Sequence, residues 1–134
     1  MAEFIAAQGG SPEVVENPNL LPQAGTRIAI PSEKAGTVRR VNALNVGVAA
    51  KILGAGRKAN DDYLNHSIGI ILEKKVGDRV EKGEPLAVFL SDGDPEKIDP
   101  AQAAVLGAYE IGAQPVEPSR LCYAVVTADG IEVV

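Results

Sequence analysis

Apolar and polar positions alternate from Thr26 to Pro31, with Ile28 and Ile30 on one face, and that period of two predicts a strand. Gly36 to Val41, with Val38 and Val41 apolar, predicts a second strand, and the Ser32-to-Gly36 connection suits a hairpin between the two. The period then lengthens. Asn42 is a good helix N-cap, and Leu44, Val48 and Ile52 recur at four-residue spacing up to a stop at Gly54. Gly47, Ala49 and Ala50 leave the other side of that helix thin, which suits tight packing against a sheet.

Further strands are predicted over Ile68 to Glu73 and Leu86 to Leu90, with turns around Val80 between them. Asp99 with Pro100 reads as a cap and first turn, opening a helix over Ala101 to Ile111 whose apolar stripe is Ala104, Val105, Ala108 and Ile111. Leu121 to Thr127 is the last full strand, and Asp129-Gly130 turns Ile131 to Val134 back on it. At the other end, Glu3 to Gln8 has the pattern of a helix terminus stopped by Gly9-Gly10. One or two turns do not hold alone, because nucleation is unfavourable. The pattern therefore predicts the tail of a longer helix, and so a fragment, followed by a linker rich in Pro12, Pro18 and Pro22. The sum is an α+β fold, with residues 1–25 as helix end and linker and residues 26–134 as the domain.

With 134 residues the chain has room for one domain, and 46% hydrophobic with 23% charged residues is ordinary for a folded one. A net charge of −5 argues against non-specific nucleic-acid binding, which needs clustered cations. One cysteine, Cys122, excludes an internal disulfide and, with the single His66, a Cys/His zinc cluster. With no membrane-length apolar run and no signal-like start, a cytoplasmic protein is expected.

KKVGDRVEKGEPLAVFLSDGD, residues 74–94, is the most patterned stretch. Its glycine turns leading into an apolar strand resemble biotinyl and lipoyl carrier domains, in which a lysine at the following tip carries the cofactor. Aligning Gly77-Asp78, Val80, Gly83 and Leu86 with that pattern puts the attachment position at Gly93, and no lysine occupies 91–95. An amide-linked arm needs an amine, so carrier function is not expected.

A more specific likeness comes from motifs taken together: Gln8-Gly9-Gly10, Leu53-Gly54-Ala55-Gly56-Arg57, Ile68-Gly69-Ile70, Lys75-Val76-Gly77-Asp78-Arg79-Val80, Lys82-Gly83-Glu84-Pro85-Leu86, and Glu110-Ile111 with Pro115-Val116. In this order they resemble the C-terminal part of the pyrimidine-nucleoside phosphorylases, the family that includes thymidine phosphorylase, over roughly Phe4 to Val125. The resemblance implies a hammerhead-like domain of short antiparallel strands with two helices. It also implies a parent several times longer, with a helical domain, an α/β domain and a cleft between them. Such enzymes cleave pyrimidine (deoxy)nucleosides with phosphate as co-substrate, giving base and pentose 1-phosphate, and need no further cofactor. The family holds phosphate on a Lys/Ser/Thr/Gly-rich segment early in the chain and the base on Arg, Ser and Lys in the middle. None of those motifs is here. The resemblance thus implies an accessory domain whose partners are the missing catalytic domains of a homodimeric parent, with no nucleic acid, membrane or metal, and no catalytic residue of its own.

Within the glycine-rich loop, Gly54, Gly56, Arg57 and Lys58 are the candidate lid or phosphate-facing residues. Glycines let backbone approach an anion and a cation can meet phosphate. The plainer reading is a helix C-cap followed by solvated charge. His66 reads as a surface histidine, Asp61-Asp62 and Asp92/Asp94 as solvated turn carboxylates, and Lys74, Lys75, Arg79 and Lys82, interleaved with acids, as mixed surface. The alternative to the accessory domain is a stand-alone binding or structural module that kept the carrier-like β-structure without its lysine.

Overall fold

The computed structural model describes residues 1–56, 64–117 and 120–133. Its central strand, β5 (Pro85–Ser91), pairs antiparallel with β1 (Thr26–Pro31) on one side and with β3 (Gly69–Leu72) on the other. The register sets both Ile28 and Ile70 opposite Phe89. Alternation puts Ala87 and Phe89 on the same face as each other, and both are fully buried. Two helices, α2 (Ala43–Ala50) and α3 (Pro95–Ala108), pack together and contribute Ala49, Ala101 and Val105 to the main core. Leu53, Ile30 and Ile68 complete it.

A second sheet has β2 (Gly36–Val41) between β4 (Arg79–Val80) and β6 (Tyr109–Gly112), all antiparallel. Val38, Val80 and Leu86 form its small core. Leu86 and Ala87 are neighbours on β5 and belong to different cores, so one strand anchors both. Leu106 and Tyr109 touch both clusters. The Tyr109 hydroxyl lies 3.0 Å from the Lys74 and Leu86 carbonyls alike and shares its one proton between them. Burial, with the Asp78 charge as a lesser cause, pushes its pKa up to about 12.

The patterned stretch folds into two turns of the same design. Asp78 N–H donates to the Lys75 carbonyl and Glu84 N–H to that of Glu81, with Gly77 (φ 97°) and Gly83 (φ 89°) third in each. A positive φ at that position is the type II geometry that glycine permits. Each turn's acid closes it: Asp78 accepts from Lys75 N–H at 2.7 Å, Glu84 from Glu81 N–H at 2.9 Å. Both also grip a distant residue through main chain. Gly77 N–H and Asp78 C=O hold Val38 by its C=O and N–H, and Gly83 with Glu84 holds Ser32 likewise. The Lys74 ammonium reaches the Glu84 carboxylate and the Arg79 carbonyl, fastening one turn to the other.

The α+β fold of short antiparallel strands is as expected, and several details differ. β1 and β2 do not form a hairpin; each joins a different sheet, because their alternating faces are buried by partners far along the chain. The expected thin side of α2 is split: Ala49 is fully buried in the core shared by α3 and the β1–β5–β3 sheet, whereas Gly47 is exposed. Leu44 and Val48 of the expected stripe instead stand 75% and 46% exposed. α3 starts a turn earlier than expected, with Asp94 as its cap on Glu96 N–H and Pro95 at its first position, so Pro100 lies inside it. It ends at Ala108, where Tyr109 turns to extended backbone, and Ile111 therefore sits on a strand.

At the N-terminus α1 (Ala2–Ala7) is closed by Gly9 at φ 81°, with Gly9 N–H donating to Ala6 C=O and Gly10 N–H to Ile5 C=O. The prolines of the linker start two single 3-10 turns, Pro12–Val15 and Pro18–Leu20. At the other end β7 (Ala124–Thr127) and β8 (Gly130–Val133) form the expected hairpin, exposed at every position. No helix among the described residues is long and apolar enough to cross a membrane.

Candidate functional site

The glycine-rich loop is built from both of its ends. Asn42 Oδ1 accepts from Leu44 and Asn45 N–H and starts α2, and Ala49 and Leu53 fix the helix on the core. The α-helical turns widen into a π-type turn over Lys51–Ala55, inside which Gly54 takes φ 113° and breaks the helical path. Gly56 is extended, and a Cβ there would come 3.1 Å from Lys51 Cγ. Glycine at 54 is thus favoured by conformation, and at 56 a side chain would have to be met by a shift of a few tenths of an ångström in Lys51. Both are accounted for within the domain.

The returning end is a second knot. Asn65 Oδ1 accepts from the Ser67 N–H at 3.1 Å and from its hydroxyl at 2.8 Å, while Ile68 N–H donates to the Asn65 carbonyl. Ile68 then enters the main core beside Leu53, and its Cδ1 lies 3.5 Å from where a Gly54 Cβ would be. The two feet of the loop are therefore clamped side by side. Arg57 and Lys58, its candidate cations, lie outside the described residues, as do Asp61 and Asp62. His66 is exposed on the returning turn.

The other sequence candidates are occupied locally. Asp92 accepts from Lys97 at 2.8 Å and from Asp94 N–H, and the Lys97 hydrogen bond leads in holding its carboxyl below the usual range. Asp94 caps α3. Glu84 is held low first by its hydrogen bond from Lys74 and then by Glu81 N–H. Among the described residues no three His, Cys, Asp or Glu converge as metal ligands. At the β5 tip, Gly93 has φ 87° and donates its N–H to Ser91 Oγ. The position matching the carrier lysine is thus a glycine in left-handed backbone.

Sequence reasoning missed a groove between the two cores. Ser32, Glu33, Leu106, Tyr109 and Ile111 border a recess of about 70 Å³. Beside it, Lys82 and Gln102 help line an open groove of about 500 Å³. No local signal marks it, since it depends on strands that meet only in the fold. One lysine and one glutamate at an open groove supply no nucleophile–base pair.

Comparison with known proteins agrees with the motifs. The family model described as "Pyrimidine nucleoside phosphorylase C-terminal domain" matches residues 37–112. A pyrimidine-nucleoside phosphorylase of Bacillus subtilis (strain 168) is 40% identical over 125 residues, covering 93% of this chain and 28% of that protein. The pyrimidine-nucleoside phosphorylase of Geobacillus stearothermophilus is 39% identical, over 90% of this chain and 27% of its own. The chain thus spans little more than a quarter of the length of these curated relatives.

Proposed function

The chain belongs to the pyrimidine-nucleoside phosphorylase family, as its C-terminal domain, and we propose that it serves as the accessory domain of an enzyme that reversibly phosphorolyses pyrimidine (deoxy)nucleosides. The observation that carries this reading is coverage: 93% of the chain matches a relative of which it makes up only 28%. In such a reaction phosphate attacks the sugar C1′ as the base departs. The protein must then position an anion and offset charge on the leaving base. The upstream domains supply those groups, and residues 26–134 contribute a rigid base from which the 54–69 loop covers the cleft. The adjacent feet of that loop support this reading, because Leu53 and Ile68 fix in the core where it leaves and where it returns. Arg57 and Lys58 face the phosphate in this reading, the parent is a cytoplasmic homodimer, and phosphate is its only co-substrate.

The test is phosphorolysis of thymidine and uridine, with this chain alone and with it joined behind the upstream portion of the Bacillus subtilis relative. Turnover is expected only in the joined protein. Arg57→Ala there should raise the KM for phosphate about tenfold, the loss of one charge-assisted contact. Unchanged kinetics would remove the lid reading, and turnover by the chain alone would remove the accessory one.

A further inference from the structure

Among the described residues, one face of α2 has no counterpart. Leu44, Gly47, Val48 and Lys51 follow at the i, i+3, i+4, i+7 spacing of a single helical stripe, and all four are exposed. Leu44 is 75% and Val48 46% accessible. Between them, a Cβ built on Gly47 would meet nothing within 4 Å. Glycine weakens a helix interior, and here no contact among the described residues uses the space it leaves. A missing side chain flanked by two apolar ones lets another main chain approach closely. The helix is also firm, capped by Asn42 and rooted by Ala49, whereas the exposed apolar residues of the β7–β8 hairpin stand on strands that, among the described residues, pair with each other alone.

We infer that this stripe is the docking surface for the portion of the family's polypeptide that precedes the C-terminal domain. The occupant follows from length: relatives matching over 90% or more of this chain carry nearly three-quarters of their residues outside the match. Their C-terminal domain adjoins a far longer stretch of the same chain. The inference rests on the accessory-domain reading and specifies which face makes the contact.

Single cysteines at Leu44 and Val48, in a Cys122→Ser background, report the face through their rate of reaction with a maleimide. Each should react at least tenfold more slowly in the joined protein than in the chain alone. Equal rates at both positions in the two proteins overturn the inference. Leu44→Asp provides the second arm: it should leave the melting temperature of the chain alone within about 2 °C and lower that of the joined protein by more. Unfolding of the chain alone by Leu44→Asp overturns the inference, since the face would then be in internal use. So does a dimer of the chain that Leu44→Asp converts to monomer, because the occupant would be a second copy. Slowed labelling in a joined protein without phosphorolysis would keep the docking face and discard the proposed activity. Full activity with equal labelling rates would do the reverse.

Discussion

Tyr109 and Gly36 show how single residues hold the two sheets in place. The Tyr109 hydroxyl meets two carbonyls at the junction of both cores. Tyr109→Phe should cost about 1 kcal/mol in denaturant unfolding, the net worth of one such bond. The pH response is more diagnostic. With the folded pKa at about 12, above the ~10 of an unfolded tyrosine, the unfolded chain loses its proton first. Stability from this group is complete below pH 10 and drains away as pH rises from 10 through 12. Tyr109→Phe should flatten that part of the curve. Gly36 fails differently: a Cβ there would sit 2.8 Å from the Gly112 carbonyl oxygen, across the β2–β6 pair. Gly36→Ala should destabilise by about 1–3 kcal/mol, since two main chains must part. Equal melting temperatures for variant and parent would contradict the close pairing of those strands.

At the scale of elements, two Asp-Pro pairs five residues apart compete for the start of α3. Asp94-Pro95 and Asp99-Pro100 carry the same capping chemistry, and a sequence window cannot choose between them. The fold uses the first, which extends the helix toward Asp92 and the Lys97 ion pairs. Asp94→Ala should therefore cost about 1 kcal/mol, as cap deletions do. Asp99→Ala, on an exposed helix turn, should change stability by less than about 0.5 kcal/mol. The reverse ranking in urea titrations would return the helix start to Asp99. The same contrast explains what was legible. Strands with strict alternation, such as Thr26–Pro31, and turns with positive-φ glycine, such as Gly77 and Gly83, are fixed by local chemistry and are legible. Sheet partners are not, because adjacency in sequence suggests a β1–β2 pairing, whereas Ile30 is buried in the cluster that holds Phe89 and Val38 in the one that holds Leu86. The α2 stripe was seen as a pattern, but a pattern does not say whether the partner lies within the domain. Of the candidate loop, the glycine stop is legible at Gly54 and the Asn65–Ser67 turn is local in its bonds, whereas the approach of Ile68 to Leu53 is tertiary.

For the molecule as a whole, the unequal distribution of core matters more than any single contact. Both buried clusters lie between Ile30 and Ala108, and every described residue of the terminal hairpin is exposed. Deleting residues 118–134 should lower the melting temperature of the chain by no more than about 2 °C. A large loss in scanning calorimetry would mean that the hairpin supports the core. Phe89→Ala, at the centre, should by contrast cost about 3–5 kcal/mol and take with it most of the marginal stability of a domain.

The pairing of β1 with β5 has a consequence in time. Ile28 finds its partner Phe89 only 61 residues later, and β2 pairs with β6 only after Tyr109 and its neighbours exist. At about 5–20 residues per second of synthesis, β1 waits roughly 3–12 seconds for β5. Until β5 is made, β1 and β3 both lack their partner strand, and α2 lacks the core that β5 and α3 complete. The main core therefore closes only once β5 and α3 have been synthesised, late in the domain rather than element by element.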